Sequence, residues 1–250
     1  MKINSDINIL GGLPDWQLIE ELLKEKFELT IVSEPKNYYS AIKTVKSVRR
    51  FEKVISNTLI KFENEKTKTL VYDIISSEGV SNDSRIILFW NASFNNELLN
   101  YLNNQIYFSS YYSGRIKIKQ DEVSACLKDL REREPELKKW SDLTLKTTAS
   151  KYLTLLKKFN LMEGTLNKNI IHPYLNDKMF ILFIYWISSI ELKSNLLESE
   201  WLKYSFCEQK VFIERLMQKK FAKHFHLTYT GDKLKIETTT PYEKIYDAVK

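Results

Sequence analysis

The chain has 250 residues, of which 43 % are hydrophobic and 28 % charged, the balance of a globular chain with material for a sizeable core. Six glycines and five prolines argue for long helices and against glycine-rich phosphate loops; neither G-x-G-x-x-G nor G-x-x-x-x-G-K-[ST] occurs, which disfavours a nucleotide-driven ATPase. The net charge of +6 suits a polyanionic partner without demanding one, so the placement of the charges matters more than their sum.

In chain order, residues 3–10 alternate polar and apolar and read as a short strand or extended arm closed by Gly11-Gly12. No basic segment followed by an apolar run is present there, so no signal peptide is expected. Pro14-Asp15 opens a helix with Trp16, Ile19, Leu22, Leu23 and Phe27 on its apolar side. Residues 38–65 read as one or two helices with a core face from Ile42 to Phe62. Their polar side carries Lys43, Lys46, Arg49, Arg50 and Lys53, opposed only by Glu52 before Glu63. A solvated helix usually mixes signs to gain i,i+4 pairs. A one-sign face forgoes them, which fits an anionic partner as well as a merely soluble surface. Residues 67–76 and 84–90 read as helices, and 91–112 continue helically. The aromatic cluster at 107–112 carries almost no Lys or Arg, so it reads as core rather than as a base-stacking platform.

R-I-K-I-K at 115–119 alternates at period two and reads as a short strand. Residues 121–133 form a helix with Val123, Leu127 and Leu130 inside and Asp121 as an N-cap. Pro135 suits the first turn of a short helix to Trp140, and Ser141-Asp142 caps the next one. That third helix, 144–159, has an apolar stripe of Leu145, Ala149, Leu153, Leu156 and Phe159. Its other faces hold Lys146, Thr147, Ser150, Lys151, Thr154, Lys157 and Lys158, with no carboxylate until Glu163. Gly164 stops the helix, and 165–175 offer a wing. The order matches a winged helix-turn-helix; an ordinary amphipathic surface helix is the plainer alternative. Lysines neutralise phosphates, and Thr147, Thr148 and Ser150 can bond phosphate oxygens. The face lacks the bidentate base readers Asn, Gln and Arg, so backbone-led, weakly specific binding to duplex DNA is expected.

Residues 179–187, M-F-I-L-F-I-Y-W-I, are too short to span a bilayer and read as a buried core helix. Amphipathic helices follow at 194–206 and 208–226. A β-hairpin turns at Gly231-Asp232, and a last short helix covers 241–250. His224-x-His226 is explained by one histidine inside and one outside, so no metal site is expected. Cys126 and Cys207 form no disulfide framework, which suggests a reducing, cytoplasmic setting. No catalytic signature is present.

The run S-D-L-T-L-K-T-T-A-S-K-Y-L-T-L-L-K-K-F-N-L-M-E-G at 141–164 resembles the BrxA family of BREX phage-resistance loci. A looser likeness covers Gly11-Gly12 with Trp16, the helix around Arg49-Arg50, the Asp121 helix and residues 179–187. The resemblance implies a mainly helical, non-enzymatic, cytosolic DNA-binding protein with winged-helix character; no cofactor is expected. It would work beside the methyltransferase, ATPase and phosphatase-like proteins of the locus. On the matched run it marks Lys146, Thr147, Ser150, Lys151, Lys157 and Lys158 as contact candidates, with Lys43, Lys46, Arg49 and Arg50 as a second set. It transfers no catalytic residue, and the C-terminal hairpin lies outside what aligns.

The expected architecture is a mainly α helical bundle with winged helix-turn-helix elements and short β-hairpins. Its expected parts are an N-terminal helical domain (1–114), a winged segment (115–175) and C-terminal helices with a hairpin (176–250). The expected function is duplex-DNA binding within a BREX system, without membrane insertion. A scaffold binding only proteins and an RNA-binding protein are the alternatives.

Overall fold

A computed structural model describes residues 3–28, 42, 44–165, 168–191 and 193–250. Within them the chain is mainly helical, with two short antiparallel hairpins. Helices α1 (Asp6–Leu10), α2 (Gln17–Glu28) and α3 (Val45–Thr58) are followed by α4 (Glu65–Glu78), α5 (Asn82–Asn95) and α6 (Glu97–Leu102). A π-helical turn, Asn103–Phe108, runs into α7 (Ser109–Tyr112). Then come α8 (Gln120–Arg133), a 3-10 turn (Pro135–Lys139), α9 (Asp142–Lys158) and the strands β1 (Met162–Glu163) and β2 (Asn169–Ile170). Helices α10 (Asp177–Ile190) and α11 (Gln209–Leu216), strands β3 (Phe225–Tyr229) and β4 (Leu234–Thr238), and helix α12 (Tyr242–Val249) complete the chain.

Side-chain caps place many of these starts. Thr44, Ser81, Asn96, Ser141 and Asn176 each accept a backbone N–H from three residues on, satisfying a donor that the first turn leaves open. Asn96 thereby divides the helix expected over 91–112, since it starts a new helix where α5 ends. Asp121 lies in the first turn of α8 instead of capping it; Lys119 holds the cap position without a side-chain bond. Residues 3–10 are not a strand: α1 is a single helical turn whose Ile7 and Leu10 are buried against α3 and α9. Both late helices break, and the helix expected over 194–206 is two 3-10 turns, Leu196–Glu198 and Glu200–Ser205. Leu216 and Phe221 are five residues apart, off helical register, and the chain leaves α11 after Leu216 to bury Phe221 in a separate 3-10 turn.

The chain divides into two compact units, Met1–Lys61 with Glu78–His172, and Phe62–Ser77 with Pro173–Lys250. This differs from the expected division at 114 and 175. Residues 115–172 share a unit with the N-terminal helices because the inner face of α9 is covered by them. In that unit Phe89 meets Phe159 at 5.5 Å and Trp16 meets Phe159 at 5.7 Å between ring centroids. A buried polar chain ties α9 to the preceding helices: the Tyr152 hydroxyl donates to Asn103 Oδ1 (3.0 Å), Asn103 Nδ2 to Ser93 Oγ (2.9 Å), and Ser93 Oγ to the Phe89 carbonyl (2.7 Å). Of the 107–112 aromatics, Tyr107 and Phe108 are core, whereas Tyr112 is 37 % exposed.

The second unit is built around α10, whose residues 179–187 are all buried, as the apolar run implies. Phe180 packs on Phe212 and Phe221, each at 5.4 Å, and Trp186 on Trp201 at 5.7 Å. Tyr185 donates to the His224 carbonyl (2.6 Å), and Tyr242 donates to the Tyr185 carbonyl (2.9 Å), anchoring the hairpin base and α12. The buried Arg215 donates to Asp177 Oδ1 (3.1 Å) over the face of Phe180 (4.2 Å). The hairpin turns at Gly231, whose φ of +91° a side chain would oppose. His224 is buried and His226 exposed, the one-in, one-out arrangement expected. No helix among the described residues is long and apolar enough to cross a membrane.

One electrostatic strain lies in this unit. Burial, then Asp247 and Glu243 of α12, raise the Asp73 carboxyl from 3.8 to about 6, against a partial offset from Lys250. A folded-state pKa above the unfolded value means stability is fully present below the unfolded pKa and falls as pH rises through about 6. Asp73 is only part-buried, so solvent screening leaves about 1 kcal/mol of this. Asp73→Asn is expected to be more stable than the parent by that amount near pH 7.5 and equal near pH 4. Urea denaturation at the two pH values checks it; the same difference at both would refute the linkage.

Candidate nucleic-acid interface

The turn between α8 and α9 is held from both sides. Arg131 of α8 donates to Asp142 Oδ1 (2.8 Å) and to the Trp140 carbonyl (3.3 Å). That bond, first, holds the Asp142 carboxyl below its usual range, with Lys128 and the Arg131 charge adding to it. Gln120, opening α8, donates to the Lys146 carbonyl (3.1 Å). After α9 the chain reverses through Asn160 in a left-handed conformation (φ +58°), which Asn tolerates better than most residues. β1 then pairs with β2, Met162 opposite Ile170. The 115–119 segment joins them: Lys117 bridges Asn169, Ile118 N–H donates to the Lys168 carbonyl (3.2 Å), and Ile170 N–H donates to the Ile116 carbonyl (2.8 Å). β2 is thus paired on both sides.

The candidate residues on α9 do not all share one fate. Lys146, Thr147 and Ser150 are exposed, and Lys157 is half-buried. Lys146, Ser150 and Lys157, with the buried Leu153 between them, follow i, i+4, i+7, i+11 spacing, and Thr147 adjoins Lys146. Beside them runs a cleft lined by Lys117, Lys119, Gln120, Ser150, Thr165 and Lys168, with Asp121 the acid at its rim. Desolvation first, and Lys157 second, push the Lys168 ammonium down from its usual range. Lys157 and Lys168 therefore repel one another across the start of the hairpin. Lys157 and Lys158 also sit in the last turn of α9, where the helix dipole favours cations, so part of their role is helix stability.

Thr148 and Lys158 correct the sequence reading. Thr148 is buried, and its hydroxyl donates to the Thr144 carbonyl (2.9 Å), so it faces no ligand. Lys158 reaches the Leu13 carbonyl with its ammonium, and burial, then the Lys151 charge, lowers its pKa. Lys151 lies against Gly11 and Gly12 instead of on the open face. Lys117, Lys119 and Lys168 are contact candidates that sequence reasoning missed. The alternation at 115–119 was the available signal for the first two.

The second set lies on α3. Lys46, Arg49, Arg50 and Lys53 are exposed, whereas Lys43 lies outside the described residues. Lys46 stands in the first turn, with no acidic residue there. A cation at that end opposes the helix dipole by about 0.3–1 kcal/mol, so helix stability does not explain it.

The family model for BrxA matches residues 36–184, more than half of the chain, and it includes α3, α8, α9 and both strands of the first hairpin. The chain belongs to the BrxA family. Membership associates this BrxA-family chain with BREX phage defence. No curated protein and no solved structure matches it.

Proposed function

We propose that this BrxA-family chain is a non-enzymatic, cytoplasmic duplex-DNA-binding component of a BREX system, acting beside its methyltransferase, ATPase and phosphatase-like proteins. The observation that carries the reading is the lysine-rich surface formed by Lys146, Lys157, Lys117, Lys119 and Lys168 around the α9 face and the hairpin, with Asp121 the one acid lining its cleft. The sequence α8, turn, α9, hairpin, with a preceding segment paired to β2, supports a winged helix-turn-helix in which α9 lies in a groove and the hairpin forms the wing. Hydroxyls at Thr147 and Ser150 add phosphate contacts, and the missing base readers make the grip weakly specific.

The test is affinity for duplex DNA of unrelated sequences across a salt series. Binding should weaken steeply as salt rises, with little change between sequences. Affinity independent of ionic strength would remove the electrostatic basis. A second reading, a scaffold for other proteins, is favoured by the exposed Tyr174 (79 %), Met217 (59 %) and Val211 (50 %) of the second unit. Co-purification of a partner with no DNA retained at low salt would support it. Preference for folded RNA over duplex would move the assignment to RNA.

A further inference from the structure

Helix α1 packs against both α3 and α9 and ends in two glycines. Close packing accounts for Gly11: a Cβ there would lie 2.5 Å from the Lys151 carbonyl oxygen and 2.9 Å from Lys151 Cβ. Gly12 is less crowded. There the nearest atom to an added Cβ is the Ile9 oxygen at 3.3 Å, followed by the Asn8 oxygen and, at 3.6 Å, the Lys151 ammonium. The bare surface of Gly12 therefore lies beside a lysine head group. On its other side, Gly12 lines a cleft of about 150 Å³ with Asn8, Ser47, Arg50 and Phe51. Lys151 from α9 and Arg50 from α3 thus approach the same glycine, and Ser47 of α3 lines the cleft with Arg50. Lys158 adds positive charge near Lys151, and Arg85 stands near Lys158. Asp15, close to Lys158, is the acid on that side, and Asp6 stands near Lys53 on the other.

We infer that this junction of α1, α3 and α9 is an anion site that holds a backbone phosphate of the DNA. It joins the α3 surface to the α9 and hairpin surface as one interface. The inference rests on the duplex-DNA reading above. Its scale is compatible with one duplex: helices packed on either side of a third, each at about 8–10 Å, stand within about 20 Å of one another. The duplex presents a charge about every 1.7 Å of axis and a major groove about 12 Å wide.

The experiment titrates the full chain with a short duplex at several salt concentrations. It compares the parent with Arg50→Ala, Gly12→Ala, Gly12→Asp and the pair Lys146→Ala with Lys157→Ala. Arg50→Ala should weaken binding about fivefold and reduce the salt slope by about 0.9. Gly12→Asp places a carboxylate beside Lys151 and should weaken binding at least as much, while Gly12→Ala stays within about twofold of the parent. If the Asp variant fails to fold by circular dichroism, the exposed Arg50 decides. Parent-like affinity and slope in Arg50→Ala, with the α9 pair still impaired, would overturn the junction and leave the α9 reading standing. A parent that binds no duplex at low salt would overturn both.

Discussion

Replacing Lys146, Lys157 and Lys168 together with alanine is expected to weaken duplex-DNA binding about 100-fold at low salt. Each ammonium facing a phosphate near water is worth about 1 kcal/mol, and 1.4 kcal/mol is a factor of ten. The three lie on one surface: Lys146 on the exposed face of α9, Lys157 near its end, and Lys168 across the hairpin. The salt slope should fall by about 2.7 at the same time, since each lost phosphate contact removes about 0.9. The fold should change by no more than about 1 kcal/mol, since losing Lys157 from the last turn of α9 costs about 0.3–1 kcal/mol. Lys157 helps to depress the Lys168 pKa, so removing both charges relieves a repulsion, and a phosphate between them would relieve it in the parent. Fluorescence anisotropy and a thermal melt separate the two effects. Parent-like affinity with an unchanged melt would take this face out of the interface.

Gly11→Ala is expected to destabilise the first unit by about 2 kcal/mol or more, the range for forcing a methyl group into a filled space. The obstacle is the Lys151 carbonyl oxygen at 2.5 Å, which belongs to the backbone of α9 and cannot swing aside as a side chain can. For a chain of this size that corresponds to a fall of roughly 4–8 °C in melting temperature. Gly12→Ala should cost less than about 1 kcal/mol, because its nearest neighbour needs to yield only a few tenths of an ångström. Thermal melts of the two variants decide the matter, and equal shifts would refute the close approach of α1 to α9.

Much of the fold was legible because it is written in short-range terms. Ser141 before an apolar stripe marks the start of α9, Pro135 marks a first turn, and Gly231-Asp232 marks a hairpin. The apolar run at 179–187 marks the buried helix of the second unit. Where the reading erred, the competing term was tertiary. Five residues at 6–10 carry too little periodicity to separate strand from helix, and burial of Ile7 and Leu10 against two helices decided it. The break after Leu216 follows from the need to bury Phe221 off helical register.

The candidate interface divides in the same way. Periodicity identified a polar, lysine-rich front on α9, but not which surface each lysine reaches. Lys158 is bound to a carbonyl 145 residues earlier in the chain, and Lys151 lies under the glycine end of α1. Lys168 and Lys117 join the face only because β2 pairs with the 115–119 segment. The sequence by itself determined most of the long helices, the C-terminal hairpin, the basic faces and the family likeness, since caps, turns and i,i+4 patterns act over a few residues. Only the tertiary structure decided that residues 62–77 belong with the C-terminal unit and that α1 lies against both α3 and α9. Those outcomes depend on complementary apolar surfaces far apart in the chain, and no local pattern carries them.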